Sequence, residues 1–215
     1  MPRITASIAL ALLSLASTAN ATTFTFNTDP FGNSTAPSMP GRQVVGGEIF
    51  IDFNIATDVF ALGSAVFGVG DNVEFFNGVI GSVPTSGVNV IVLETFDNDA
   101  NPATPFAAGN AADLIAARIT TPGPGFFIYF NQGLDLPRLV FSPDLNDNTS
   151  DLKVLFRMLN LNGQAGRDAL PGFTAANFDF ISQAEAVPEP ATLLMTATGV
   201  LGVLRHARRR RRNRG

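Results

Sequence analysis

Apolar and polar positions alternate along most of this chain, in short runs broken by Gly, Pro, Asn and Asp. Alternation with period two places successive side chains on opposite faces of a strand. Residues 22–27 put Phe24 and Phe26 on one face. Residues 48–55 are the clearest case: Ile49, Ile51, Phe53 and Ile55 point one way, and Glu48, Asp52 and Asn54 the other, with Phe50 the exception. Further strands are expected at 59–69, 73–76, 88–96, 126–130, 138–141, 152–159 and 177–181. Turn signals separate them, among them Gly70-Asp71-Asn72, Asn77-Gly78, Asn162-Gly163 and the Pro-Gly repeat at 122–125. Many short strands at this spacing predict an all-β fold, an antiparallel β-sandwich of jelly-roll type rather than a parallel α/β sheet.

Two stretches read differently. Residues 110–119, NAADLIAARI, predict a short helix with Asn110 as N-cap and Asp113 at the third helical position. Residues 152–159 fit helical spacing nearly as well as alternation, and a strand is expected there. Residues 28–42, rich in Pro, Gly, Ser and Thr, read as a surface loop. Nineteen phenylalanines against one tyrosine and no tryptophan suit two sheets packed face to face.

The two ends carry a different pattern. Arg3 and the apolar run IALALLSLA at 8–16 form the n- and h-regions of a signal peptide. Ala19-Asn20-Ala21 fits the small-x-small cleavage rule, so the mature chain is expected to begin at Thr22. At the other end, Pro188 and Pro190 fix φ and bias Val187 and Glu189 toward extended backbone, giving an open strip. The apolar run 191–204 follows, roughly 21 Å long as a helix and therefore short for a permanent span of a roughly 30 Å hydrocarbon core. Arg205, Arg208, Arg209, Arg210, Arg211, Arg212 and Arg214 flank it, on the cytoplasmic side by the positive-inside rule.

Val187-Pro188-Glu189-Pro190, the apolar run and the arginine cluster together resemble the PEP-CTERM sorting tail of Gram-negative bacteria. The resemblance implies recognition by an exosortase, a membrane transpeptidase-like enzyme that cuts near the Pro-Glu-Pro. It also implies export through the Sec translocase and signal peptidase, and a precursor held transiently in the inner membrane by a C-terminal transmembrane helix. The destination it implies is the cell surface or an extracellular, exopolysaccharide-containing matrix. The expected organisation is a signal peptide at 1–21, a β-sandwich body at 22–186 and a sorting tail at 187–215.

Removing the ends changes the charge. Of the fourteen basic residues, Arg3 and the seven tail arginines leave; of the eighteen acidic ones only Glu189 does. Seventeen acidic and six basic residues remain, so the body stands near −11 although the whole chain is −4. Such a body disfavours nucleic acid and favours divalent cations or basic partners. With no cysteine, an exported body has no disulfide framework.

Chemistry is constrained by what the body lacks. The single histidine, His206, sits among the tail arginines, and cysteine is absent, which excludes Ser-His-Asp triads, cysteine nucleophiles and histidine-ligated metals from the body. The one lysine, Lys153, reads as a solvated charge, and Tyr129, within FFIYF, as a packing residue. Carboxylates remain. A glycoside hydrolase needs two of them facing across a cleft, and Asp52, Asp58, Asp71, Glu74 and Glu94 cannot be paired by sequence. Two acidic loops, Asp97–Asn101 with Asp99 and Asp144–Asn148 with Asp147 and Asp151 beyond, offer oxygens for Ca²⁺. Asp and Asn are equally ordinary turn formers, and neither loop has EF-hand spacing. The reading is therefore a non-catalytic surface or matrix component without a cofactor. A Ca²⁺-dependent binding module and a carboxylate-based hydrolase are the alternatives.

Overall fold

The computed structural model describes residues 20–182. The expected signal segment with Ala19, the Val187–Pro190 strip, the apolar helix and the arginine cluster lie outside the described residues. Among those described, ten strands and three short helices follow in order: β1 (Thr23–Phe26), β2 (Val44–Val45), β3 (Ile49–Ile51), β4 (Val59–Gly63), α1 (Ser64–Phe67), β5 (Phe75–Gly78) and β6 (Val90–Leu93). Then come α2 (Ala108–Ala116), β7 (Gly125–Asn131), β8 (Leu136–Ser142), β9 (Leu152–Met158), α3 (Gly163–Ala169) and β10 (Phe178–Ile181). The described chain is thus mostly β, and none of its helices is long and apolar enough to cross a membrane.

The strands form two sheets. The smaller has the order β1-β4-β10, with both outer strands parallel to β4. The larger runs β2-β9-β8-β7-β6-β5, with β3 beside β9 in line with β2. Its β7-β8 and β8-β9 ladders are antiparallel, and the other four are parallel. The antiparallel jelly-roll expectation is therefore corrected: six of the eight ladders are parallel. Connection length is the cause. Parallel neighbours need a crossover of about a dozen residues, which residues 27–58 supply between β1 and β4 and residues 94–124, including α2, between β6 and β7. The two antiparallel neighbours are joined by shorter connections, residues 132–135 between β7 and β8 and 143–151 between β8 and β9.

Other expectations shift at their edges. The run 59–69 stops as a strand at Gly63 and turns into α1, which ends on Gly68 in the left-handed region at φ 67°. The run 48–55 keeps its inward residues Ile51 and Phe53, but only three residues pair with β9 and Ile49 is left exposed. Residues 152–158 form a strand, with a bulge opposite Leu139 and Val140. The helix at 110–119 begins earlier, at Ala108. Asn110 is therefore not the N-cap but sits one turn in, where its Oδ1 accepts the Ala107 N–H at 2.9 Å. An amide side chain at that position reaches back as well as forward.

The large sheet is covered on both faces. On one, Val90, Val92, Phe126, Ile128, Phe130 and Leu139 meet Phe60, Leu62, Phe178 and Phe180 of the small sheet. On the other, Ile91, Leu93, Phe127, Tyr129, Val140 and Val154 meet Ala108, Ala111, Ala112 and Ile115 of α2. Three layers result, sheet on sheet on helix.

Candidate functional site

Both ends of the body converge on one strand and one turn. β1 opens the body and β10 closes it, and β4 lies between them. The turn preceding β4, residues 54–58, binds both neighbours. Asp58, 4% exposed, accepts the Thr22 N–H at 2.9 Å through Oδ1 and the Asn54 N–H at 2.9 Å through Oδ2. The Thr57 hydroxyl donates to its Oδ1 at 3.1 Å. On the C-terminal side, buried Asn177 donates from Nδ2 to the carbonyls of Ile55 and Asp58, at 2.7 and 3.0 Å. Thr22, the expected first residue after signal cleavage, is thereby fixed to the body by its own nitrogen. Its carbonyl accepts the Val59 N–H at 3.0 Å, starting the ladder. Ala21, on the other side of that bond, is exposed.

The acidic loops turn their carboxylates onto backbone N–H groups, their own and those of neighbouring segments. Asp97 Oδ1 accepts the N–H groups of Asp99 and Ala100. The Thr104 hydroxyl, then the Asn101 N–H, hold the Asp99 carboxyl below the usual range. Asp144 Oδ1 accepts from Gly123 and Asn146, and Asp151 Oδ1 from Gln43. The Thr149 N–H and hydroxyl lower Asp147 in the same way. Among the described residues no three acidic side chains gather into a metal-binding group.

A charged cluster lies where β3 meets the antiparallel strands. Arg138 and Arg157 stand opposite each other on β8 and β9, and both donate to Glu48 Oε1, at 2.8 and 2.5 Å. Burial pushes the Glu48 carboxyl up. Its own backbone N–H, the Arg157 hydrogen bond and the two positive charges outweigh that, so it ends below the usual value. Arg138 also reaches the hydroxyl of Tyr129, which is fully buried and accepts from Asn131 Nδ2 at 2.9 Å. The exposed Phe50 ring covers the Arg157 guanidinium at 4.8 Å. Alternation alone did not reveal this triad. Lys153, expected to be a solvated charge, is half-buried, and its Nζ donates to the Gly46 carbonyl at 2.6 Å.

A shallow cleft of about 190 Å³ opens where β5, β6 and β7 begin, lined by Glu74, Asn89, Ile119, Pro124 and Leu145 among others. Glu74 is the one carboxylate in its lining. Asp58 is buried on its own donors, and Asp71 accepts from the Ser64 hydroxyl at 3.3 Å. The cleft does not bring together the pair of carboxylates that glycoside hydrolysis needs.

Residues 186–211 match the PEP-CTERM protein-sorting motif. The match begins at Ala186, takes in Val187–Pro190 and the apolar run, and ends at Arg211 within the arginine cluster. No curated protein and no solved structure matches the chain. The chain carries a C-terminal sorting motif of the kind that exosortases process, which implies export and a membrane-anchored precursor.

Proposed function

We propose that this chain is an exported bacterial cell-surface or extracellular-matrix protein, released from its membrane-held precursor by an exosortase. Its body serves as a non-catalytic structural or adhesive component associated with exopolysaccharide. The observation that carries this reading is the sorting motif at 186–211. The body's composition supports it, since residues 22–186 hold no cysteine and no histidine to act as nucleophile or base. So does the use of its acidic loops, whose carboxylates cap local backbone. Spacing supports it as well. The last paired residue, Ile181, precedes Val187 by a few residues, so the strip follows closely on the folded body.

The reading is tested by replacing Pro188, Glu189 and Pro190 with alanine in the producing bacterium. A longer precursor is expected to accumulate in the inner-membrane fraction while the surface form disappears. Unchanged delivery to the surface would remove the exosortase from the account.

A further inference from the structure

Asp58 is a buried carboxylate with three hydrogen-bond donors and, among the described residues, no cation partner. Its donors are the Thr22 and Asn54 N–H groups and the Thr57 hydroxyl. None of the ion pairs among the described residues includes it. An ionised carboxylate is costly to bury unless it is paired. One of its three donors has a property the others lack: Thr22 is the residue that follows Ala19-Asn20-Ala21. Before cleavage its nitrogen is a neutral peptide N–H. After cleavage between Ala21 and Thr22 the same nitrogen becomes an α-ammonium group.

We propose that Asp58 is the receptor for the α-ammonium group of the mature chain, so that signal cleavage completes the fold. Hydrolysis of the Ala21–Thr22 peptide bond consumes one water. It leaves the Ala21 carboxylate on the departing segment and a protonated amine on Thr22. The existing 2.9 Å hydrogen bond to Asp58 Oδ1 then becomes a charge-assisted ion pair without movement of either residue. β1 is a four-residue edge strand held to β4 alone, so anchoring Thr22, the residue just before it, steadies that edge of the smaller sheet. The uncut precursor has the hydrogen bond but not the charge. Its small sheet is correspondingly looser at the stage when the chain is being exported. This inference rests on the signal-peptide reading, not on the fate of the tail.

The test uses residues 22–215 with a free Thr22 amine, produced by removing an N-terminal tag. Two companions begin at Ala21 or carry an acetylated Thr22. The free-amine chain is expected to melt about 4 °C higher than either companion at pH 7. Pairing holds the amine pKa above its ordinary value of about 8, so the difference should shrink as pH rises past that value. Asp58→Asn should abolish the difference. Because that variant could unfold, amine reactivity supplies a second measurement. At neutral pH an acylating reagent should modify Thr22 roughly tenfold more slowly in the folded chain than in urea. Equal melting temperatures, or equal labelling rates folded and unfolded, would overturn the pairing. N-terminal sequencing of the exported protein separates the premises: a start other than Thr22 removes signal cleavage as the trigger, whatever the in vitro chains show.

Discussion

The two faces of the large sheet are packed by different chemistry. The layer shared with the small sheet buries ten of the nineteen phenylalanines, whereas the layer under α2 buries two, Phe106 and Phe127. Facing sheets stand about 10 Å apart, a gap that interleaved aromatic rings fill. Phe53 and Phe60 stack there at 4.3 Å, with Phe156 and Phe173 at 5.1 and 5.6 Å from one or the other. On the helix side, Ala108, Ala111 and Ala112 let α2 settle closely over β7, in a cluster that also holds Val140 and Val154. The comparison teaches that ring volume sets one spacing and the absence of side-chain volume sets the other.

Opposite changes should therefore hurt the two layers. Truncation is the larger insult. Phe60→Ala empties the centre of the aromatic stack and should cost about 4 kcal/mol, read from the midpoint of urea unfolding. A value under about 1 kcal/mol would mean that the sheets close over the gap. Glu48→Gln leaves Arg138 and Arg157 facing each other without a full negative charge, for an expected loss of about 3 kcal/mol. In the unaltered protein the Glu48 carboxyl is lowered, so its contribution is present above the ordinary value of 4.5. That contribution fades as pH falls through the folded pKa. Thermal midpoints should drop on acidification from pH 5, and Glu48→Gln should flatten that slope.

Enlargement, in contrast, should trouble the helix layer. Ala111→Leu inserts volume where the side chain is fully buried and should cost about 2 kcal/mol by overpacking. Gly166→Ala makes a comparable point in α3, since a Cβ there would stand 2.2 Å from the Leu161 carbonyl oxygen. The smallest effect concerns the carboxylates of the acidic loops. With Asp97, Asp99, Asp144, Asp147 and Asp151 spent on backbone N–H groups, a chelator should move the melting temperature by less than about 1 °C. A drop of several degrees would restore the calcium-dependent reading.

Much of this was legible in the chain, for reasons that differ by residue. Phe24, Phe26, Ile51 and Phe53 alternate with polar neighbours because one side of their strands meets the core, and that pattern survives in the structure. Strand direction was the part misread. All residues of β6 and β7 are buried, so VIVL and GFFIYFN show no alternation, the mark of strands covered on both faces, here by α2 on one and the small sheet on the other. That uniform run, with a helical segment between the two, was the available signal for parallel pairing. The sorting tail was legible because its order of proline strip, apolar run and arginines is local. Asp58 and Glu48 were not, since their partners Thr22, Arg138 and Arg157 lie tens of residues away and only the register joins them.

What remains of the polypeptide at its destination decides between processing and simple anchoring. Intact-mass spectrometry of protein purified from the bacterial surface reads both ends at once. A mass beginning at Thr22 and lacking Arg205 through Arg214 is the predicted result. A surface-purified chain that still carries those arginines would contradict exosortase processing.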